Sequence, residues 1–325
     1  MKVLVVTAMY PTTANPAFGS FVRTQVEALK KLGIVVDVLF LDGKPRKLIY
    51  PKGIVELRRR LSHFSPDLVH AHYSYAGIVA RTQYRVPVIV TYHGTDLLGI
   101  INKNGRHTRL GRLVVAAGQM LSEYVDAVIV QNEAMAAKLK RKDVYVIPCE
   151  IDCEVFSPAS RFDARIALNL HPHKKYLLFA ANPANPVKNY PLAAAIATYL
   201  QREDPDVELL VVYRESQPKL ALFMSACDVL LFTSYQEGSP NIVRQAMACN
   251  LPIVATDVGD VRQAVANTTD CYICRPDVYA FVERLLPILS CRIRTNGREH
   301  VQNLAGAGAA RKLVDAYEAL LNRRG

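Results

Sequence analysis

Thr233-Ser-Tyr-Gln-Glu-Gly-Ser-Pro-Asn-Ile-Val-Arg-Gln-Ala-Met-Ala-Cys-Asn-Leu-Pro252 is the stretch whose reading decides the fold. An apolar strand ends at Thr233, a loop holding Gly238 follows, and a helix begins near Asn241. The first turn of a helix carries unpaired N–H groups and partial positive charge, which suits a diphosphate or hydroxyl groups. Glu237 stands just before that helix and Gln245 eight residues later, one turn in. A simpler reading of the same residues is that Glu237 or Ser239 caps the helix.

Outward from this segment, short β-branched runs alternate with helical stretches. Toward the N-terminus, strands are expected at Lys2–Thr7, Val35–Leu41, Leu68–Ala71, Val86–Tyr92, Ala127–Gln131 and Val144–Pro148. Helices are expected at Phe21–Leu32 (stopping at Gly33), Ile54–Phe64, Tyr75–Arg81, Gly111–Val125 and Glu133–Lys140. Pro148–Pro158 breaks the rhythm and reads as a connection between domains. The alternation restarts with strands at Lys175–Ala181, Val207–Val212, Val229–Thr233 and Ile253–Thr256. Helices follow at Tyr190–Leu200, Leu220–Ala226, Ile242–Ala248, Val278–Leu289 and Ala307–Leu321. Such alternation predicts an α/β fold of two Rossmann-like domains with parallel sheets, whose ligand lies in the cleft between the carboxyl ends of their strands. The expected boundaries are 1–150 for an acceptor-side domain, 151–305 for a donor domain, and 306–325 for a helix returning to the first domain.

Composition fits two domains: 325 residues, half of them apolar. No apolar run approaches the ~18 residues needed to span a bilayer, and Met1-Lys-Val-Leu-Val-Val reads as a buried strand rather than a leader. A cytoplasmic protein is the expectation, at the inner face of a membrane if the basic half engages lipid. The seven cysteines are odd in number and scattered, as buried free thiols would be. Cys271-Tyr-Ile-Cys274 lacks the second pair a structural zinc needs.

The net charge of +11 is uneven. Residues 1–150 carry 21 Lys/Arg against 11 Asp/Glu, and residues 151–325 carry 19 against 18. The excess gathers at Lys44, Arg46, Lys47, Lys52 and Arg58 to Arg60, and again at Lys103, Arg106, Arg109 and Arg112. Solvated helix faces explain such runs, and so does a patch for anionic lipid headgroups or an anionic acceptor. No aromatic interleaving or recognition pattern supports nucleic acid.

Three further places could carry chemistry. Gly19, in the loop after the first strand, can let a phosphate approach the backbone. His93 ends the fourth strand and would point into the cleft, with Asp96 orienting it or touching an acceptor. Lys188, in Phe179-Ala-Ala-Asn-Pro-Ala-Asn-Pro-Val-Lys-Asn189, is either an exposed lysine or a cation awaiting an anion beside a helix start. His70-Ala-His72 has alternate-residue spacing; its rings are expected on opposite strand faces, which argues against a shared metal. No Ser-His-Asp set, Walker loop or GxGxxG is present.

The Thr233–Pro252 stretch, continued by Ala255-Thr-Asp-Val-Gly-Asp-Val261, resembles the donor-binding signature of retaining glycosyltransferases with the GT-B fold. That large family includes sucrose and glycogen synthases and many bacterial polysaccharide transferases. The resemblance covers nearly the whole chain. It implies transfer of a sugar from a nucleotide-diphosphate sugar, the co-substrate, to a hydroxyl acceptor that could be a glycan, a small molecule or lipid-linked, with no cofactor and no metal. It implies His93 and Glu237 as catalytic residues, and Gly19, Lys188, Gly238, Ser239, Pro240, Asn241 and Gln245 as donor-binding. Asp96 falls on the acceptor side. Two departures stand out. Gln245 replaces the second Glu of the family's Glu-x7-Glu motif, keeping an acceptor atom but losing charge. Asn182 stands near the place of an Arg that faces the donor diphosphate. They keep open a degenerate member that binds a glycan or partner without turnover, or an epimerase or phosphorylase on the same fold.

Overall fold

The computed structural model describes residues 1–42, 49–305 and 308–323. The first half builds one parallel sheet from β1 (Lys2–Thr7), β2 (Val35–Phe40), β3 (Leu68–His72), β4 (Val88–Thr91), β5 (Ala127–Val130) and β6 (Val144–Val146), in the order β2-β1-β3-β4-β5-β6. Its helices are α1 (Ser20–Lys31), α2 (Ile49–Phe64), α3 (Ser74–Ala80), α4 (Thr95–Leu98), α5 (Arg109–Tyr124) and α6 (Glu133–Ala136). Residues 147–160 then cross without strand or helix. The second sheet holds β7 (Lys175–Phe179), β8 (Val207–Val211), β9 (Val229–Phe232), β10 (Ile253–Thr256) and β11 (Cys271–Cys274), in the order β11-β10-β9-β7-β8. Around it lie α7 (Arg161–Ala167), α8 (Tyr190–Glu203), α9 (Gln217–Ala226), α10 (Asn241–Ala248), α11 (Val261–Val265), α12 (Val278–Cys291) and α13 (Gly297–Ala305), and the chain closes with α14 (Ala309–Asn322). Every ladder is parallel.

Local chemistry sets these limits. The end of α1 is a Schellman turn: Gly33 sits at φ +82°, its N–H bonds Lys30 O, and Ile34 N–H bonds Leu29 O. Helix α2 starts before Pro51, earlier than expected, because proline is tolerated in a first turn. Helix α6 stops at Ala136, short of the expected Lys140, and 137–140 turn into the loop before β6. Three of the basic positions, Lys44, Arg46 and Lys47, and the expected helix start at Ala307, lie outside the described residues.

Each sheet is covered on both faces. On the first, one core layer joins the strands to Leu57 and Leu61 of α2, Ala76 and Val79 of α3 and Leu121 of α5. The opposite layer joins Val3, Val5 and Leu68 to Val22, Val26 and Leu29 of α1 and to Leu313, Ala316, Tyr317 and Leu320 of α14. The last helix of the chain is thus part of the first sheet's core. Cys271 and Cys274 are three apart on β11 and enter cores on opposite faces of the second sheet, both as free thiols.

Candidate functional site

Strand order places the site. Where the order of a parallel sheet reverses, two neighbouring strands send their following loops to opposite sides and leave a crevice at their carboxyl ends. In the second sheet that point lies between β7 and β9. The loop after β7 ends in a single 3-10 turn, Pro186–Lys188, and the loop after β9 carries Ser234 to Glu237. Lys188 Nζ meets Glu237 Oε1 at 2.5 Å, with the side chains 24% and 15% exposed. Ser234 Oγ donates to the same carboxylate oxygen at 2.9 Å. Thr233 Oγ1 anchors the first loop by donating to the carbonyls of Lys188 and Asn189. A small depression opens beside Lys188, lined also by Phe179, Ala180, Thr233, Ser234 and Ile242. The anion beside the α8 start is therefore the protein's own Glu237. Asn182 is exposed, and its Oδ1 accepts from Ala184 N–H within its own turn.

Helix α10 has Pro240 at its N-cap and no side-chain cap hydrogen bond. The capping reading of Glu237 and Ser239 therefore fails. Ser239 Oγ instead donates to Asp260 Oδ2 at 2.9 Å, and Arg244 bridges both residues, with Nη2 2.6 Å from the same carboxylate oxygen. Asn241 is the first helical residue, and its buried Oδ1 has no hydrogen-bond partner among the described residues. Gln245 lies one turn further, 8% exposed. Gly259, at φ +60°, packs so close that a Cβ on it would come within 2.2 Å of Gly238 O. The β10–α11 loop thus buttresses the Glu237–Gly238 loop from behind.

The facing wall comes from the first sheet, whose order reverses between β1 and β3. His72 ends β3, His93 follows β4 and Gln131 follows β5. His93 Nε2 lies 2.9 Å from His72 Nδ1, and His93 Nδ1 lies 2.9 Å from Gln131 Nε2, which also reaches Cys149 Sγ at 3.0 Å. His70 joins from below: its ring centroid is 4.4 Å from that of His72, and its nitrogens meet Tyr317 Oη at 2.6 Å and Thr91 Oγ1 at 2.7 Å. His70 and His72 share a face, because alternate strand residues do; the expectation of opposite faces was wrong. Burial drives the His72 pKa down to about 3 and holds those of His70 and His93 well below the usual histidine value, so all three rings are neutral near pH 7. His72 Nε2 is buried with no hydrogen-bond partner among the described residues.

Asp96 is 2% exposed and turned inward. Its Oδ1 accepts from Ser74 N–H and Oγ, and its Oδ2 from His93 N–H at 3.2 Å, so it fixes the start of α3 and the His93 backbone together. Burial raises its pKa against those hydrogen bonds. Phe21 and Tyr73 flank the His93 ring, each with centroids 4.7 Å away. Tyr73 sits at φ +69°, an uncommon and strained backbone for a bulky residue. Gly19, at φ +67°, opens α1; a Cβ there would meet Met9 backbone at 2.3 Å. The loop's own packing demands that glycine.

The structure thus brings Lys188 to Glu237, and sets Gly238 against the His93–Gly94 backbone and Met135. Asn132 Nδ2 donates to Gly238 O across the cleft. Gly19 and Asp96 shape the His93 wall from behind. Ser234, Gln131, Asn132, Arg244, Asp260 and Gly259 were not singled out in the sequence reading, and His72 was weighed there only as a metal ligand. For most of them the one available signal was position, immediately after a strand in the alternation. Among the described residues, no group of three or more His, Cys, Asp or Glu is placed to hold a metal ion.

Two family models match separate stretches of the chain. The family model described as Glycosyltransferase Family 4 matches residues 2–155, and that described as Glycosyl transferases group 1 matches residues 191–291. The chain is 25% identical to a Bacillus subtilis protein described as a teichuronic acid biosynthesis glycosyltransferase, TuaC, over 80% of this chain and 82% of that one. It is also 25% identical to the D-inositol 3-phosphate glycosyltransferase of Nocardiopsis dassonvillei, over 78% and 70% of the two chains. Among solved structures, sucrose-phosphate synthase of Thermosynechococcus elongatus superposes with a TM-score of 0.80 at 20% identity, covering 99% of this chain and 100% of that one. Anabaena HepE in complex with UDP superposes with a TM-score of 0.68 at 15% identity, covering 98% and 100%.

Proposed function

The chain is a glycosyltransferase of the GT-B fold, and we propose that it moves a sugar from a nucleotide-diphosphate sugar to a hydroxyl acceptor with retention at the anomeric carbon. The observation that carries this reading is the Lys188–Glu237 pair at the switch point of the second sheet, facing the His93 wall. The barrier to transfer is negative charge developing on the leaving diphosphate. Fixed cations and helix N-termini aimed at that charge lower it without reorganising during reaction. Lys188 and the N–H groups opening α10 occupy such positions.

Glu237 neutralises Lys188. The entering diphosphate would take the ammonium, and Glu237 would then turn its carboxylate to the sugar hydroxyls. Asn241 and Gln245 extend the donor side along α10, with Gln245 facing the ribose as a neutral partner. The neutral His93 ring, held at both nitrogens, would support the far side of the sugar through its shape and backbone rather than through its charge. Retention fits the lack, among the described residues, of an unengaged carboxylate placed as a nucleophile, since a departing phosphate oxygen can then assist front-face attack. No cofactor beyond the co-substrate is invoked. HepE is described in complexes with UDP and UDP-glucose, which makes uridine diphosphate sugars the first donors to test. TuaC is named for teichuronic acid biosynthesis, which points to glycan acceptors.

The test is donor turnover across common nucleotide sugars, followed by product stereochemistry. Lys188→Ala and Glu237→Ala should each abolish turnover while a cooperative melt shows that the fold is retained. Wild-type turnover in either variant would remove this pocket. A second reading, a glycan-binding member without turnover, is favoured by Gln245 and by the absence of an arginine in the Phe179–Asn189 loop. Saccharide binding with no turnover of any donor would establish it instead.

A further inference from the structure

Eight of the seventeen large apolar side chains exposed among the described residues fall on one layer of the first half, that of α2, α3 and α5. They are Val55 on α2, Tyr75 and Ile78 on α3, Tyr84 just beyond it, and Leu110, Leu113, Met120 and Tyr124 on α5. On α5 the spacing is decisive. Val114, Leu121 and Val125 turn inward, whereas Leu113, Met120 and Tyr124 are 63 to 68% exposed and line an outer stripe. The fold already has its core beneath this layer, so the stripe serves something outside it.

Charge says what. Arg58 and Arg59 lie on α2, Arg85 follows α3, Lys103 and Arg106 precede α5, and Arg109 and Arg112 stand in its first turn, all exposed. That first turn contains no acidic residue. Cations at a helix N-terminus oppose the helix dipole, and neither Arg109 nor Arg112 forms an ion pair among the described residues. The fold gains nothing from them there. We propose that the outer face of α2, α3 and α5 docks on an anionic lipid surface, with the apolar stripe entering the interface and the arginines meeting headgroups. Tyrosines beside arginines and aliphatic side chains are the composition of membrane interfaces. A protein interface would instead clear charge from its centre, and a two-fold pairing of this face would set like charges against each other. No helix among the described residues is long and apolar enough to cross a membrane, so contact would be peripheral.

The face adjoins the cleft. Gln236 Nε2, in the loop before Glu237, donates to Gly99 O at 3.2 Å, and Gly105 packs on the Tyr235 ring. Docking through α5 would therefore hold the cleft mouth at the membrane, where a lipid-linked acceptor resides. That purpose rests on the proposed transfer reaction, whereas the docking itself does not.

Co-sedimentation of the full chain with phosphatidylcholine vesicles, with and without phosphatidylglycerol, tests the docking at low and high salt. The wild type should pellet with the anionic vesicles only, and release as salt rises. Arg109→Gln/Arg112→Gln should lower the partition roughly 30-fold, from about fivefold per cation. Leu113→Ser/Met120→Ser should lower it comparably, and both should keep the wild-type melting curve because every altered side chain is exposed. Pelleting that ignores lipid charge, variants that pellet like wild type, or a dimer in sedimentation velocity that the serine variant abolishes without any lipid binding would each overturn it. Donor turnover in the same samples keeps the two proposals apart. Vesicle binding without turnover removes the transfer reading alone, and turnover without vesicle binding removes the docking alone.

Discussion

Lys188 and Glu237 stand 49 residues apart in the chain and 2.5 Å apart in space. Each is the other's counter-charge, so the two variants should fail differently. Lys188→Ala leaves a mostly buried carboxylate with Ser234 as its remaining partner; about 1–3 kcal/mol of stability should be lost, alongside the loss of turnover. Glu237→Gln keeps the shape and should leave stability within about 1 kcal/mol, while turnover falls about 10²–10³-fold, the scale of one preorganised polar contact. Urea unfolding and steady-state rates on one preparation separate the outcomes. The histidines make a pH prediction. All three have folded-state pKa values below the unfolded value of about 6.5, His72 as low as about 3. Between those limits the unfolded chain binds more protons than the folded one. Stability is therefore complete above about pH 6.5 and falls as pH drops, by about 1.4 kcal/mol per pH unit for each ring. His72→Asn should remove one ring's share of that slope between pH 6.5 and 5. An unchanged slope in urea midpoints would show that His72 already titrates normally.

At the scale of elements, most strands and helices were legible because buried parallel strands read as short β-branched runs and covering helices keep their period. The misses have local causes. Cys271–Cys274 drew attention for its CxxC spacing, although three residues along a strand send the thiols to opposite cores. Helix α11 has five residues, and α13 opens on Gly297-Arg-Glu-His300, too short or too polar to show a pattern. The site was legible only where it ran along the chain. Ser234 and Glu237 to Gln245 lie on one loop and helix, whereas His72, Gln131 and Asp260 join the site through strand order, which no local pattern carries. Gly259 is the sharpest case. Its positive φ, and the 2.2 Å approach of a Cβ to Gly238 O, mean that the neighbour in the way is backbone. Gly259→Ala should destabilise by about 1–3 kcal/mol and weaken donor binding by displacing the Glu237 loop. Gly238→Ala meets Met135 Sδ first, a flexible side-chain end, and should be the milder change. Calorimetric titration of UDP against both variants checks the ranking.

Across the whole molecule, the halves are joined by two unlike kinds of contact. One is apolar and deep: Leu313, Tyr317 and Leu320 of α14 are buried in the first sheet's core, and Tyr317 reaches His70 beneath the cleft. The other is polar and sits at the mouth: Asn132 to Gly238, Gln236 to Gly99, and Thr24 to Gln217. A cleft that must open for a nucleotide sugar and close for transfer needs a permanent tether and a breakable rim, and this division supplies both. The two should therefore separate by mutation. Tyr317→Phe removes a buried hydroxyl from His70 and should lower stability by about 1–3 kcal/mol, leaving the donor KM near wild type. Asn132→Asp keeps the acceptor that caps α6 but sets a carboxylate against the Gly238 carbonyl. It should raise the donor KM with little change in thermal midpoint, because the contact joins the two halves at the rim and belongs to neither core. Should Asn132→Asp shift the thermal midpoint while leaving KM alone, the rim belongs to the folded scaffold, and closure must be sought elsewhere.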